Sequence, residues 1–327
     1  MSFVVPSLVK KLLKGELMNY NFSEITFPSK DGVHTVYAEL YTPKLRSAKG
    51  IIQLAHGMID YVARYERLAD YLTGEGYIFA GHHHLGHGKT ASRSEDFGIF
   101  AEEGGVDYLI GDMHTMNKYL RDTFPTLPLI VMGHSMGSFI TRLYIEAHPH
   151  SMRGAIIHGT SGPNPLLPFG KALASVISKT KGPRHRSRLL TKLAFGSYNK
   201  KFPKTEGSDA WLTRDVERVA GRAEDKYTSF LFTASGYKDL FNMIKQVNSQ
   251  SWFSEYPKEL ATLIVSGDMD PVGNYGKGPD YVYKHLLMCG CEKVDIKMYE
   301  GARHELFNET NSDTVFSDLV EWIDSII

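Results

Sequence analysis

The stretch Gly133-His134-Ser135-Met136-Gly137 constrains this chain more than any other. Before it stands Leu127-Pro128-Leu129-Ile130-Val131-Met132, an apolar run that predicts a buried strand. After it, Phe139, Ile140, Leu143, Tyr144 and Ala147 recur at helical spacing. Gly-x-Ser-x-Gly between a strand and a helix marks a turn so tight that the positions two removed from the serine need glycine. Such a turn lifts the hydroxyl above the sheet and aims the following backbone N–H groups at any oxyanion formed there. Ser135 is therefore a candidate nucleophile, and the rest of the chain must supply its sheet and its partners.

The flanking pattern supplies the sheet. Phe22–Phe27 and Val33–Tyr41 alternate around Ser29-Lys30-Asp31-Gly32 and predict a hairpin. Strands are predicted at 50–55 and 77–81, with helices over Tyr65–Leu72 and Asp107–Phe124. A further strand follows at Gly154-Ala155-Ile156-Ile157. Alternation of strand and helix from 50 to 160 predicts a mostly parallel sheet covered on both faces, an α/β fold. The rhythm breaks at Ser161-Gly162-Pro163-Asn164-Pro165 and resumes at Leu260–Ser266. It continues through a helix near 280–288, a strand over Val294–Tyr299 and a helix over Asp313–Ile326. The economical division is a core of residues 1–160 and 251–327 with a mainly helical insertion over 161–250.

A serine nucleophile needs a base and a carboxylate to hold that base. On such a sheet they follow in the order Ser, Asp/Glu, His, in loops at the carboxyl ends of strands. Two loops qualify: Asp268-Met269-Asp270-Pro271-Val272 and Glu300-Gly301-Ala302-Arg303-His304. His304 is the candidate base. Asp270 is the preferred acid because Asp268 lies right at the strand end, where a turn or capping role suits it. Two backbone donors complete an oxyanion hole: the N–H of Met136, after the nucleophile, and that of Met58, in His56-Gly57-Met58 after an early strand.

Taken together these segments resemble the α/β-hydrolase serine hydrolases that include monoacylglycerol lipases and bacterial lysophospholipases of the L2 type, in the serine aminopeptidase-like group. The matching pieces are Ala55-His56-Gly57, Arg64-Tyr65-Glu66-Arg67-Leu68-Ala69, His82-His83-His84-Leu85-Gly86-His87-Gly88, the serine turn, Gly267-Asp268-Met269-Asp270-Pro271-Val272 and Gly301-Ala302-Arg303-His304-Glu305. The resemblance implies that the fourth residue of Gly-x-x-Asp, Asp270, is the acid. It also implies that 161–250 is a cap over the site, and that substrates are lipid-like monoesters such as monoacylglycerols or lysophospholipids. His83 departs from the aspartate usual at that place.

Other readings use the same residues. The triad Ser135, Asp270 and His304 serves amide, peptide or thioester hydrolysis as well, and a fold of this kind can also act as a non-catalytic binding module. His82, His84 and His87 have the spacing of a metallohydrolase zinc site, but Gly86 stands where that pattern has aspartate. Hydrogen-bonded histidines at a strand-end turn explain them without metal, and no cofactor is expected. Met58, Met136, Phe230, Phe232 and Trp252 are candidate pocket residues. Lys179, Lys181, Arg184, Arg186 and Arg188 form a basic run that could touch lipid headgroups transiently.

Composition narrows the partners. Lys+Arg and Asp+Glu balance at 37 each, so no global field favours nucleic acid. Cys289 and Cys291, one residue apart, do not suit a disulfide and fit a reducing cytoplasm. The start of the chain lacks the pattern of a signal peptide, and a short amphipathic helix over Pro6–Lys14 is expected there. The oligomeric state is not legible in these residues.

Overall fold

The computed structural model describes residues 18–327, and the helix expected over Pro6–Lys14 lies outside the described residues. The sheet holds β1 (Tyr20–Pro28), β2 (Thr35–Pro43), β3 (Gly50–Ala55), β4 (Tyr77–His82), β5 (Leu129–His134), β6 (Gly154–His158), β7 (Ala261–Gly267) and β8 (Val294–Tyr299). Their order is β1-β2-β4-β3-β5-β6-β7-β8. β1 and β2 pair antiparallel, as do β2 and β4, and every later pairing is parallel. This is the α/β-hydrolase architecture.

The interior strands are apolar because both of their faces are covered. Successive residues point to opposite sides. Ile51, Ala55 and Val131 therefore join one cluster, and Ile52, Leu54 and Met132 the other. α1 (Glu66–Gly74) packs on the second side. α2 (Gly105–Thr123) and α3 (Met136–Ala147) pack on the first.

Between β6 and β7 come five α-helices: α4 (Leu167–Lys181), α5 (Arg188–Phe195), α6 (Val216–Glu224), α7 (Ala234–Val247) and α8 (Gln250–Glu255). Four of them start on a residue whose side chain accepts a backbone N–H at the first turn: Ser187, Asp215, Thr233 and Ser249. Such caps satisfy amides that have no partner within the helix. α4 packs along α7, and α7 in turn packs against α3, with Tyr237, Met243 and Val247 in the core beside the sheet. The chain then closes with α9 (Lys277–Met288) on the first face and α10 (Ser312–Ile326) on the second.

Two local expectations change. The helix read from Tyr65 begins one residue later, at Glu66, and the Tyr65 ring is not spent on helix packing alone. Its hydroxyl donates to Asp60 Oδ2 at 2.7 Å and lies 2.8 Å from His134 Nδ1. Trp252, a candidate pocket residue, is taken up in the core: its ring stacks under Arg142 at 4.2 Å and its Nε1–H donates to the Arg142 carbonyl.

Candidate active site

The turn after β5 takes the shape its glycines predict. Ser135 stands at φ 54° and ψ −120°, a conformation that L-residues adopt only under constraint. Gly137 passes so close to β3 that a Cβ there would lie 2.0 Å from the Ala55 carbonyl oxygen. At Gly133 a Cβ would meet the Gly137 oxygen at 2.3 Å. No side chain fits either position. The Ser135 N–H donates to the His158 carbonyl at the end of β6, which ties the turn to the sheet.

The loop after β3 lies against this turn. A Cβ on Gly57 would be 3.4 Å from Ser135 Cβ, so the Met58 peptide borders the serine. Met136 is the first residue of α3, and the first four N–H groups of a helix have no intrahelical acceptor. Both amides expected to hold an oxyanion therefore come from segments that flank Ser135.

The loops after β7 and β8 bring Asp270 and His304 together. His304 Nδ1–H donates to Asp270 Oδ2 at 2.8 Å, and both side chains are buried. The other carboxylate oxygen, Oδ1, accepts the Val272 N–H at 2.8 Å. Asp268 does something else: its Oδ1 accepts the Gly301 N–H at 2.8 Å and so ties the two loops together. The His304 ring packs between His134, at 4.8 Å between centroids, and Trp211, at 5.1 Å. A Cβ on Gly159 would touch the same ring at 3.1 Å.

Residues the sequence reading did not single out surround this pair. Residues 211–214 of the inserted segment run beside the histidine loop. The His304 N–H donates to the Trp211 oxygen at 3.4 Å, and the Glu305 N–H to the Leu212 oxygen at 2.7 Å. Arg214 Nε meets Glu309 Oε2 at 2.8 Å. Beneath lies a buried charge network. Arg64 forks onto Glu305 at 2.8 and 3.1 Å and reaches Asp60 Oδ1 at 2.7 Å. Burial pushes the Glu305 carboxyl up, but Arg64 and then Arg222 outweigh it and hold the group at about 2. Burial also opposes ionisation of Asp60, and Arg64 again wins. Arg64 and Glu305 each stand in a segment that carries the family resemblance, but nothing in the sequence shows that they pair.

The histidine-rich loop is held by hydrogen bonds except at His82, whose two buried ring nitrogens have no hydrogen-bond partner among the described residues. His56 Nε2 accepts the His84 N–H at 3.1 Å, His84 Nε2 donates to the His56 oxygen at 3.2 Å, and His83 Nδ1 accepts the Lys89 N–H at 2.8 Å. His87 Nδ1 donates to the Leu85 carbonyl. Among the described residues no group of three or more His, Cys, Asp or Glu is arranged to hold a metal ion.

Burial lowers His82 to about 3 and His87 to about 4, and holds His56, His84 and His158 well below their ordinary 6.5. In the unfolded chain these rings bind protons below about pH 6.5; in the fold burial keeps them neutral to well below that. The unfolded state thus binds more protons in that window. The stability that comes from keeping the rings neutral is whole above 6.5 and is lost progressively as pH falls below it. Urea unfolding should show its midpoint dropping steeply between pH 6.5 and 4. A flat midpoint across that range would mean the rings are already charged in the fold.

This chain is similar to known proteins over most of its length. It is 27% identical over 306 residues to a monoacylglycerol lipase of Mycolicibacterium smegmatis, covering 92% of this chain and 96% of that protein. It is 26% identical over 317 residues to the Homo sapiens monoglyceride lipase, covering 91% and 92%. Among solved structures, a thermostable carboxyl esterase of Bacillus coagulans in complex with glycerol matches with a TM-score of 0.87 at 29% identity, over 93% of this chain and 98% of that one. A family model described as serine aminopeptidase, S33, matches residues 46–311, which takes in every loop of the site. The chain belongs to the serine aminopeptidase S33 family of α/β-hydrolases.

Proposed function

We propose that this protein is a serine hydrolase of carboxylic esters, with Ser135 as nucleophile, His304 as general base and acid, and Asp270 as the group that orients His304. His304 Nε2 takes the Ser135 proton as Oγ attacks the ester carbonyl. The Met58 and Met136 N–H groups receive the negative charge on the carbonyl oxygen. Collapse of the tetrahedral intermediate breaks the bond to the alkoxy oxygen, which leaves with the proton from His304. Water, deprotonated by the same imidazole, then attacks the acyl-enzyme, and the free acid departs. The observation that carries this reading is the buried Asp270–His304 hydrogen bond, held at adjacent strand ends of the sheet that presents Ser135.

The substrates we propose are single-chain glycerol esters and related lipid monoesters, as the names of the relatives suggest. Aminopeptidase action needs a free carboxylate for the substrate ammonium. Two carboxylates near the site, Asp60 and Glu305, are already paired with Arg64. Aromatic rings from the insertion, Phe195, Tyr198 and Trp211, pack on one another next to His304 and offer an apolar wall.

We take 161–250 as the cap. It exposes Leu166, Phe169, Val176 and Leu189, with Lys179, Lys181 and Arg188 nearby in sequence, a composition suited to transient contact with a lipid surface. Arg184 and Arg186 of the basic run are instead engaged by Asp96, Glu102 and carbonyls of 94–97. No helix among the described residues is long and apolar enough to cross a membrane. Free Cys289 and Cys291 suit a reducing compartment, and we place the protein in the cytoplasm.

The test is a fluorophosphonate probe together with a substrate panel: 1-monoacylglycerols of rising chain length, lysophosphatidylcholine and aminoacyl anilides. Covalent labelling and a preference for monoacylglycerols over anilides are expected. Efficient anilide turnover with idle monoacylglycerols would replace the esterase by an amidase.

A further inference from the structure

Arg222 stands on α6, in the inserted segment, yet its guanidinium ends between the two loops that complete the site. Nη2 donates to the Ile59 carbonyl at 3.0 Å, one residue past the Met58 amide. Nη1 lies 3.5 Å from Glu305 Oε1, one residue past His304, and Nε lies 3.7 Å from Asp209 Oδ2. The side chain is 10% exposed. Burial and the nearby Arg64 charge work against its ionised form, while Glu305, Asp60 and Asp209 favour it.

The residue it grips is itself strained. Ile59 has φ 55°, and a β-branched residue in the left-handed region is a conformational outlier. Such a residue keeps that shape only when its surroundings over-determine it. Asp60 fixes the following turn through Arg64, Tyr65 and its contact with the Tyr61 N–H. The carbonyl of Ile59 itself is fixed by Arg222. Released, Ile59 would relax toward negative φ and turn the peptide that follows Met58, swinging the amide expected to meet the oxyanion.

We propose that Arg222 is a positioning residue of the ester hydrolase: seated by α6, it sets the Met58 amide for the transition state and braces the His304 loop through Glu305. This rests on the serine-hydrolase reading of the site. Because the guanidinium rides on the insertion, the oxyanion loop holds its working shape only while α6 is in place. Chemistry is thereby tied to a seated cap.

The experiment uses the full chain with p-nitrophenyl butyrate and a fluorophosphonate, comparing wild type, R222Q, R222K and the double variant I59G/R222Q. A displaced oxyanion donor acts on the transition state more than on the bound ester. R222Q should lose roughly 10- to 100-fold in kcat with KM within about two-fold, and its labelling rate should fall in proportion. R222K, which can still donate one hydrogen bond, should recover part of the loss. Glycine takes φ 55° freely, so I59G/R222Q should turn over at least about five-fold faster than R222Q. The double variant and R222K also serve should R222Q fold poorly. An R222Q enzyme with wild-type kcat and labelling overturns the proposal, as does a loss matched by the unfolded fraction or a double variant no faster than R222Q. A wild type that the fluorophosphonate does not label fails earlier, at the serine-hydrolase reading itself.

Discussion

Ser135→Ala is expected to lower kcat for monoacylglycerol hydrolysis by about 10⁴- to 10⁶-fold and to abolish fluorophosphonate labelling. Oγ is the only heavy atom removed, so the loss reports chemistry. Residual turnover should stay above the uncatalysed rate, because the Met58 and Met136 amides and the binding pocket would still stabilise the oxyanion of direct attack by water. Stability should hardly move. Alanine meets the same penalty as serine at φ 54°, and the turn's own ties, the Ser135 N–H to His158 and the Ser138 N–H to the Ser135 carbonyl, are backbone bonds that survive the change. Thermal midpoints of the two proteins should agree within a few degrees. A variant that keeps more than about a tenth of wild-type turnover would remove Ser135 from the mechanism, whatever else it left standing.

The parts of this site that were legible in the sequence are those with a local signature. Gly133 and Gly137 announce close backbone approach, and the approach is there, at 2.3 and 2.0 Å for the missing Cβ atoms. Asp270 and His304 could be placed because parallel sheets put functional loops at one edge, so order along the chain stands for position in space. Asp268 and Asp270 could be told apart by distance from the strand end, and the structure gives them different partners.

What was not legible depends on pairs far apart in the chain. Arg222 reaches Ile59 across 163 positions, and nothing in the local pattern of α6 distinguishes it from Arg218 four residues earlier. Tyr65 read as one more apolar residue at helical spacing, since periodicity sees the ring and not the hydroxyl. Trp252 erred in the opposite direction: a large aromatic suggests a pocket wall, but a fully buried Arg142 needed its ring. Trp211, which packs on His304, sits in an irregular segment where sequence offers no period to read.

Asp270→Asn discriminates the orienting role from a merely structural one. The side chain is fully buried and has two fixed partners, the Val272 N–H on Oδ1 and His304 Nδ1–H on Oδ2. An asparagine of the same shape would keep its carbonyl oxygen on the Val272 amide, which leaves its NH₂ facing His304. Nδ1 must then accept, so the ring proton moves to Nε2, the atom that has to take the Ser135 proton. The wrong tautomer is built in, and kcat should fall about 10³- to 10⁴-fold with KM little changed. Asp268→Asn is the matched control: an amide oxygen accepts the Gly301 N–H as the carboxylate did, and activity should stay within a few-fold of wild type. Raising the pH should rescue Asp270→Asn in part, because hydroxide can act where the imidazole no longer serves as base. Equal losses in the two variants would make the loop, and not the Asp270–His304 pair, the source of the effect.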